Sequence, residues 1–391
     1  MGDTRVGVAV VGEGAGYPRD YTDAYSDYDS FMLELSPEQK FIKYLYLCLF
    51  PLFLLFGTVG NVATMLLLNK YSHNVWSTCL YMTILLLLDL VKLYVECGND
   101  WYAKLFDDMY NLSQEILLLS SAVCKVYMFL YSLTIHTLSW IMVAMAIEVT
   151  IGVRYPYSIY KMCTRDRATA VVLLITVLLL TLNLHFFWTT GLTVPGDDHN
   201  IRVLLCTYIN ELSDHFRDVI WPLINLLIGD LIPMIITIVC LILSIQKLKN
   251  MDTQNKEQLE LNLEKYFLDI KSLQELKLSF TIVYGGFAIV SFFRILNDAL
   301  NYLVTNNVIK MELDTVNVIR AITSTFTYAQ ISLMFWVFYL TCEKFKKDIK
   351  STLNKICCPF TKRYQVSHTK TCILNRHEKP MFLNYDATNV S

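Results

Sequence analysis

Seven blocks of the chain, about 43–68, 76–97, 121–148, 168–190, 219–246, 278–303 and 316–341, are each long and apolar enough to cross a lipid bilayer. A hydrocarbon core about 30 Å thick needs roughly 20 such residues per helix. With no water inside lipid, the backbone of each block must satisfy its own hydrogen bonds, which a helix does. The overall balance agrees, since apolar residues make up 54% of the 391 and charged residues only 17%. The reading is an all-α membrane protein: a seven-transmembrane helix bundle with its two ends on opposite sides.

Basic residues flanking the spans set the expected orientation. Arg154, Lys161, Arg165 and Arg167 follow span 3, Lys247 and Lys249 follow span 5, and Lys344, Lys346, Lys347 and Lys350 follow span 7. The other face is acidic, with Asp20, Asp23, Asp27 and Asp29 before span 1 and Asp107, Asp108, Asp197 and Asp198 in later loops. This places the N-terminus outside and the C-terminus in the cytoplasm, in the plasma membrane. An acidic outer face raises the local concentration of basic solutes; it equally well does no more than solvate the loops. The expected segments are an acidic, disordered outer tail (1–42), the helical bundle (43–341), an amphipathic membrane-surface helix (342–358) and a cytoplasmic tail (359–391). Tail tyrosines beside aspartates fit sulfation, or simply a solvated tail. No cleavable signal sequence is evident, so span 1 is expected to insert the chain.

Two inner segments carry helical stripes. Leu259, Leu263, Phe267, Ile270, Leu273 and Leu276 recur at steps of three and four, which predicts a helix extending span 6 inward, as a partner face or on the lipid surface. Phe345, Ile349, Leu353 and Ile356 do the same after span 7 beside lysines, as in a helix lying in the lipid interface. Cys357 and Cys358 close that segment and are candidates for palmitoylation.

Of eleven cysteines, only Cys97, Cys124 and Cys206 fall at or beyond the expected outer ends of spans. A bridge between Cys124 and Cys206 is allowed in an oxidising exterior and would hold the loop after span 4 over the bundle. Cys97 either competes for it or stays buried and free. Asn111, in Asn-Leu-Ser, is a glycan acceptor by pattern.

Ionisable groups inside spans are costly and usually face the bundle interior. Asp89 is the clearest, with Asn61 as a natural hydrogen-bond partner. Lys92 and Glu96 follow it on nearly one face, so internal pairing is open to them. Arg294 and Asp298 stand at i and i+4 on span 6, Asp230 lies three residues before Pro233 on span 5, and Arg320 is near one end of span 7. Each either holds the bundle together by ion pairing or, for Lys92, Arg294 and Arg320, contacts a ligand. The sequence has no metal-binding histidine pair, nucleophile elbow or phosphate loop. An enzyme is not expected, and neither cofactors nor nucleic acid are expected partners. The absence of an inverted repeat or paired broken helices argues against a transporter.

Seven spans, Asn61, Asp89, and Cys124 with Cys206 together resemble rhodopsin-like G-protein-coupled receptors. Glu148 falls twenty-four residues after Cys124, where that family places the acid of its Asp/Glu-Arg-Tyr motif. Pro156, Pro233 and Phe345 also match family positions. Among subfamilies the chain is most similar to invertebrate neuropeptide receptors of the FMRFamide-receptor-like group. The departures are as plain: Val149 stands at the motif's arginine, Ser291 and Phe293 replace the tryptophan and proline of span 6, and "MFWVF" at 334–338 replaces Asn-Pro-x-x-Tyr. Gly285 and Gly286 are candidates to supply the flexibility of the missing proline.

The resemblance implies a ligand cavity between spans 2, 3, 5, 6 and 7, lined by Lys92, Tyr127, Tyr131, Arg294, Asn297, Arg320 and Tyr328. Its cations suit a carboxylate or carbonyl, and its acidic rim suits a basic or amidated peptide. Tyr131 stands where amine receptors carry their acid, against an aminergic ligand. The implied partners are an extracellular peptide, membrane lipid, and a heterotrimeric G protein or other transducer moved by span 6. Two alternatives stay open: a chemosensory receptor for small molecules, or a non-signalling scavenger or receptor-modifying protein that tolerates the lost motifs.

Overall fold

A computed structural model describes residues 36–71, 77–106, 116–193, 205–209, 216–266, 273–305, 313–341 and 345–351. Asn111, Cys357 and Cys358 lie outside these residues, as do most of the acidic tail and Phe267 and Ile270 of the loop stripe between spans 5 and 6. The bundle belongs to the first of two compact units, Met1–Lys346; of the second, Lys347–Ser391, residues 347–351 are described, and they are helical.

Seven long helical stretches form the bundle: Pro37–Tyr71, Ser77–Leu105, Ser121–Arg154, Arg165–Thr189, 216–249, Leu273–Thr305 and Leu313–Thr341. Among the described residues, six helices are long and apolar enough to cross a membrane on length and composition. The seventh, Leu313–Thr341, has 29 residues, about 43 Å at 1.5 Å per residue. The helices overrun the apolar blocks read from the sequence, because backbone hydrogen bonding continues past the point where the side chains turn polar.

Spans 1 and 7 approach most closely at two glycines. A Cβ on Gly60 would stand 2.7 Å from Phe335 Cβ, and one on Gly57 would stand 2.7 Å from Leu93 Cδ2 and 2.9 Å from Ser332 Oγ. The contact is reinforced by Ser332 Oγ donating to Phe53 O at 2.9 Å. In lipid, where expelling water drives no association, such small residues let backbones close and gain dispersion contacts.

Two spans are not regular α-helices. Leu93–Gly98 on span 2, and Phe216–Ile220 and Asn225–Leu231 on span 5, are π-helical. One extra residue in a turn rotates the remainder of the helix by about 100°. On span 5 the widened turn runs up to Pro233, whose ring would otherwise crowd the carbonyl four residues back and which offers no N–H. Trp140 Nε1 on span 3 donates to Ile228 O at 3.0 Å, so that carbonyl keeps a partner. Span 6, by contrast, runs as unbroken helix through Gly285 and Gly286, and a Cβ on either would meet open space. Neither glycine is there to admit a close neighbour.

The bundle carries one element that the sequence reading lacks. Thr190–Thr193 (β1) and Leu205–Tyr208 (β2) pair antiparallel, with Leu192 opposite Cys206. Cys206 is bonded to Cys124, near the start of span 3, with the two Cα atoms 5.8 Å apart. Ser120 caps that start, accepting from Val123 N at 3.2 Å. Cys97 stays a free, buried thiol whose Sγ lies 3.8 Å from Phe50 O.

Replacing Gly60 by valine is expected to lower stability by about 1–3 kcal/mol, the usual cost of overpacking. It should show as a lower melting temperature of the purified protein in lipid. An unchanged melting temperature would mean that spans 1 and 7 are not in this register.

Candidate functional site

Pairing decides what the ionisable side chains between the spans can do. Lys92 Nζ lies 3.5 Å from Glu96 Oε2, one turn on. Arg294, on span 6, forms an ion pair with Asp230 of span 5, and its Nη2 lies 3.4 Å from Ser139 Oγ of span 3. The local pairing of Arg294 with Asp298 allowed by their spacing is not the one formed; Asp298 Oδ1 instead accepts from Asn297 Nδ2 at 3.3 Å. Arg320, half-buried on span 7, makes no ion pair or hydrogen bond among the described residues. Two of the three cations expected to meet a ligand are thus already compensated, which corrects the expectation of a cavity offering three positive charges.

The disulfide end of the bundle is aromatic and acidic. Tyr127 and Tyr131 stack one turn apart on span 3, with ring centroids 6.3 Å apart and planes 9° from parallel. Tyr328 of span 7 donates its hydroxyl to Asp100 Oδ2 at 3.1 Å. The sequence reading ends span 2 at 97 and so misses Asp100. Its one signal is "NDWY", which continues the helix with no glycine or proline after Gly98.

Below this mouth a cavity of about 70 Å³ lies among spans 2, 3, 6 and 7. Its polar wall holds Asp89, Lys92, Ser139, Arg294, Thr327 and Gln330, and the rest is apolar, including Phe287 and Met334. The space suits a few water molecules, each needing some 10–15 Å³ on this measure, and is far too small for a peptide. Asp89 turns into this cavity. Its expected partner Asn61 is 0% exposed, and neither amide atom makes a hydrogen bond among the described residues. The Asn61–Asp89 contact is therefore not formed.

Further along span 6, Ser291 occupies the tryptophan position and is fully buried, with no partner for its hydroxyl among the described residues. Phe293, at the proline position, stacks on Phe326 of span 7 at 4.9 Å and 4°.

At the opposite end, Glu148 is held by span 2 rather than by a neighbouring arginine. Ser77 Oγ donates to its Oε1 in a short hydrogen bond, and Thr78 Oγ1 donates to the same oxygen at 3.2 Å. Ser77 and Thr78 open their helix, so the carboxylate also meets the positive end of its dipole. Val149, at the missing arginine, is 3% exposed. Thr150 Oγ1 then joins span 3 to Ser244 Oγ of span 5 at 3.0 Å. Cys163, in the loop beyond span 3, points its Sγ at Glu148 O, 3.9 Å away. Burial, helped by the negative charge of Glu148, pushes its thiol up to about 12, so it stays protonated and unreactive. Phe345 packs on Phe335 with centroids 5.7 Å apart, and Lys346 lies over the Tyr339 ring at 5.5 Å.

The chain is thus a bundle of seven long helices with a disulfide-pinned hairpin at one end. The family model of the 7 transmembrane receptor (rhodopsin family) matches residues 60–371, well over half of the chain. The chain belongs to that family and has the general receptor activity of its members, with an extracellular ligand and an intracellular transducer. No curated protein matches it.

Removing both hydroxyls, as Ser77→Ala with Thr78→Val, strands a buried carboxylate. The expected loss is about 2–4 kcal/mol for two charge-assisted hydrogen bonds, largely recovered when Glu148→Gln is added. Thermal unfolding of the variants in lipid checks this; full loss persisting in the triple variant would show that the hydroxyls matter for some other reason.

Proposed function

We propose that this receptor sits in the plasma membrane with its N-terminus outside. It binds a basic extracellular peptide at the mouth beneath the Cys124–Cys206 hairpin, and signals through motion of span 6 to a heterotrimeric G protein or other transducer. In this reading 1–42 is the outer tail, 342–358 lies on the inner lipid surface, and 359–391 is cytoplasmic. The observation that carries the ligand class is a mouth of tyrosines with an acid bonded among them. Tyr127 stacks on Tyr131 and Tyr328 donates to Asp100, while Lys92 and Arg294 are held by Glu96 and Asp230. A guanidinium or ammonium on the peptide meets acids and aromatic faces there, both of which attract cations. Arg320 remains for a peptide carbonyl or carboxylate, and Asn297 and Tyr127 line the approach.

One observation favours a second reading, a receptor that captures ligand without coupling. The position at which the family carries the arginine of its Asp/Glu-Arg-Tyr motif holds Val149, an apolar residue, and it is buried.

Binding of a basic peptide library to purified receptor in lipid, run beside nucleotide exchange on G proteins, separates the two readings. Asp100→Asn and Tyr131→Ala are each expected to weaken a basic peptide about tenfold or more, as loss of a charged contact would. The weakening should shrink as salt rises for Asp100→Asn. Equal affinity for acidic and basic peptides, with neither variant mattering, contradicts the proposed ligand class. Binding without exchange selects the second reading.

A further inference from the structure

We infer that the Arg294–Asp230 ion pair is a two-position latch between spans 5 and 6, with Asp298 as the second seat for the guanidinium. This rests on the reading that span 6 moves during signalling, and it supplies a device for that motion where the family's span-6 tryptophan and proline are absent.

Three features make this pair more than a rivet. First, it sits on irregular backbone. Asp230 belongs to the π-helical turn Asn225–Leu231, just before Pro233. That turn exposes backbone which a regular helix would close, and Trp140 from span 3 already holds one of its carbonyls. Such turns are rare and frequent at functional sites.

Second, Arg294 is incompletely used. One nitrogen, Nη2, makes both its contacts, to Asp230 and Ser139. Nε is buried with no partner among the described residues, and the side chain lines the cavity between spans 2, 3, 6 and 7 at 18% exposure. A guanidinium has five donors in a fixed fork, so this one is bonded well below its capacity and has space beside it.

Third, a replacement acid stands on the same helix. Asp298 is one turn from Arg294, at i+4 on the same face of the same helix. Breaking a buried pair by stranding one partner is very costly. Here the cation that leaves Asp230 passes to Asp298 without being stranded, so span 6 can part from span 5. The released Asp230 lies near the hydroxyl of Ser139, which already approaches the same guanidinium. The exchange is one of hydrogen bonds and charge contacts only; no proton or covalent bond moves.

The seats predict opposite effects. Losing Asp230 frees span 6, and losing Asp298 removes the open-state partner and holds span 6 closed. A merely architectural pair would give loss of folded protein in the first case and no effect in the second. The measurement is the distance distribution between spin labels, carried on genetically encoded residues at the exposed positions Arg154 and Lys277, in full-length receptor in lipid without ligand or transducer. Asp230→Asn is expected to raise the ratio of long to short distances about tenfold or more, the effect of losing one charge-assisted contact. Asp298→Asn should lower that ratio, and the exchanged pair Asp230→Arg with Arg294→Asp should return it towards the parent value.

Ratios within about twofold of the parent in folded Asp230→Asn receptor overturn the latch, taking twofold as well below the effect of one charged contact. So does an increase in Asp298→Asn. If both Asp230→Asn and the exchanged pair fail to fold, the pair is architectural and the latch is also wrong. Since no ligand enters the experiment, failure of the proposed peptide site leaves this result untouched, and the reverse holds.

Discussion

A guanidinium placed among lipid-crossing helices needs a counter-charge, and Arg294 takes its own from the neighbouring span, in Asp230. Each such group costs about 2.5–3.5 kcal/mol to place at mid-membrane, so partners are found wherever geometry allows. Much of the character of the site follows from who pairs with whom. Arg294 is committed to Asp230 and Lys92 to Glu96, so neither cation stands alone. The same need for satisfaction explains Glu148, which draws two hydroxyls and a helix start from span 2 in place of the arginine that Val149 displaces.

The two ends of the bundle are therefore built on different chemistry. At the disulfide end, stacked tyrosines, an aspartate bonded to Tyr328 and a hairpin tied to span 3 form a polar mouth. At the Glu148 end, hydroxyl contacts join span 3 to spans 2 and 5. Between them lies a cavity sized for water, bordered by Arg294 on one wall and Phe287 and Met334 further along. Closely packed glycines on span 1 bring span 7 against it, while span 5 meets span 6 through an ion pair set on its irregular backbone.

The seven helices are legible in the sequence because hydropathy over some 20 residues is a strong signal and lipid leaves the backbone few alternatives. Partner choice is not legible. Spacing favours Arg294 with Asp298 on one helix, whereas the structure joins Arg294 to Asp230, sixty-four residues away. No spacing rule reports contacts between helices. The expected contact of Asn61 with Asp89 fails for the same reason, since a shared neighbourhood does not fix where two side chains point. The π-helical turns shift register by one residue without any change in composition, which hides the continuation of span 2 to Asp100. The hairpin strands, four residues each, are too short to show a period.

Arg294 and Asp230 are energetically coupled across spans 5 and 6, and the rest of the site is arranged around that coupling. A double-mutant cycle tests it most directly, comparing Asp230→Asn, Arg294→Gln and the two together by apparent thermal stability in lipid. The double variant is expected to be more stable than the sum of the single losses by about 1–3 kcal/mol, the range found for residues in direct contact. Single losses that add to within about 0.3 kcal/mol, as for distant sites, would contradict the coupling.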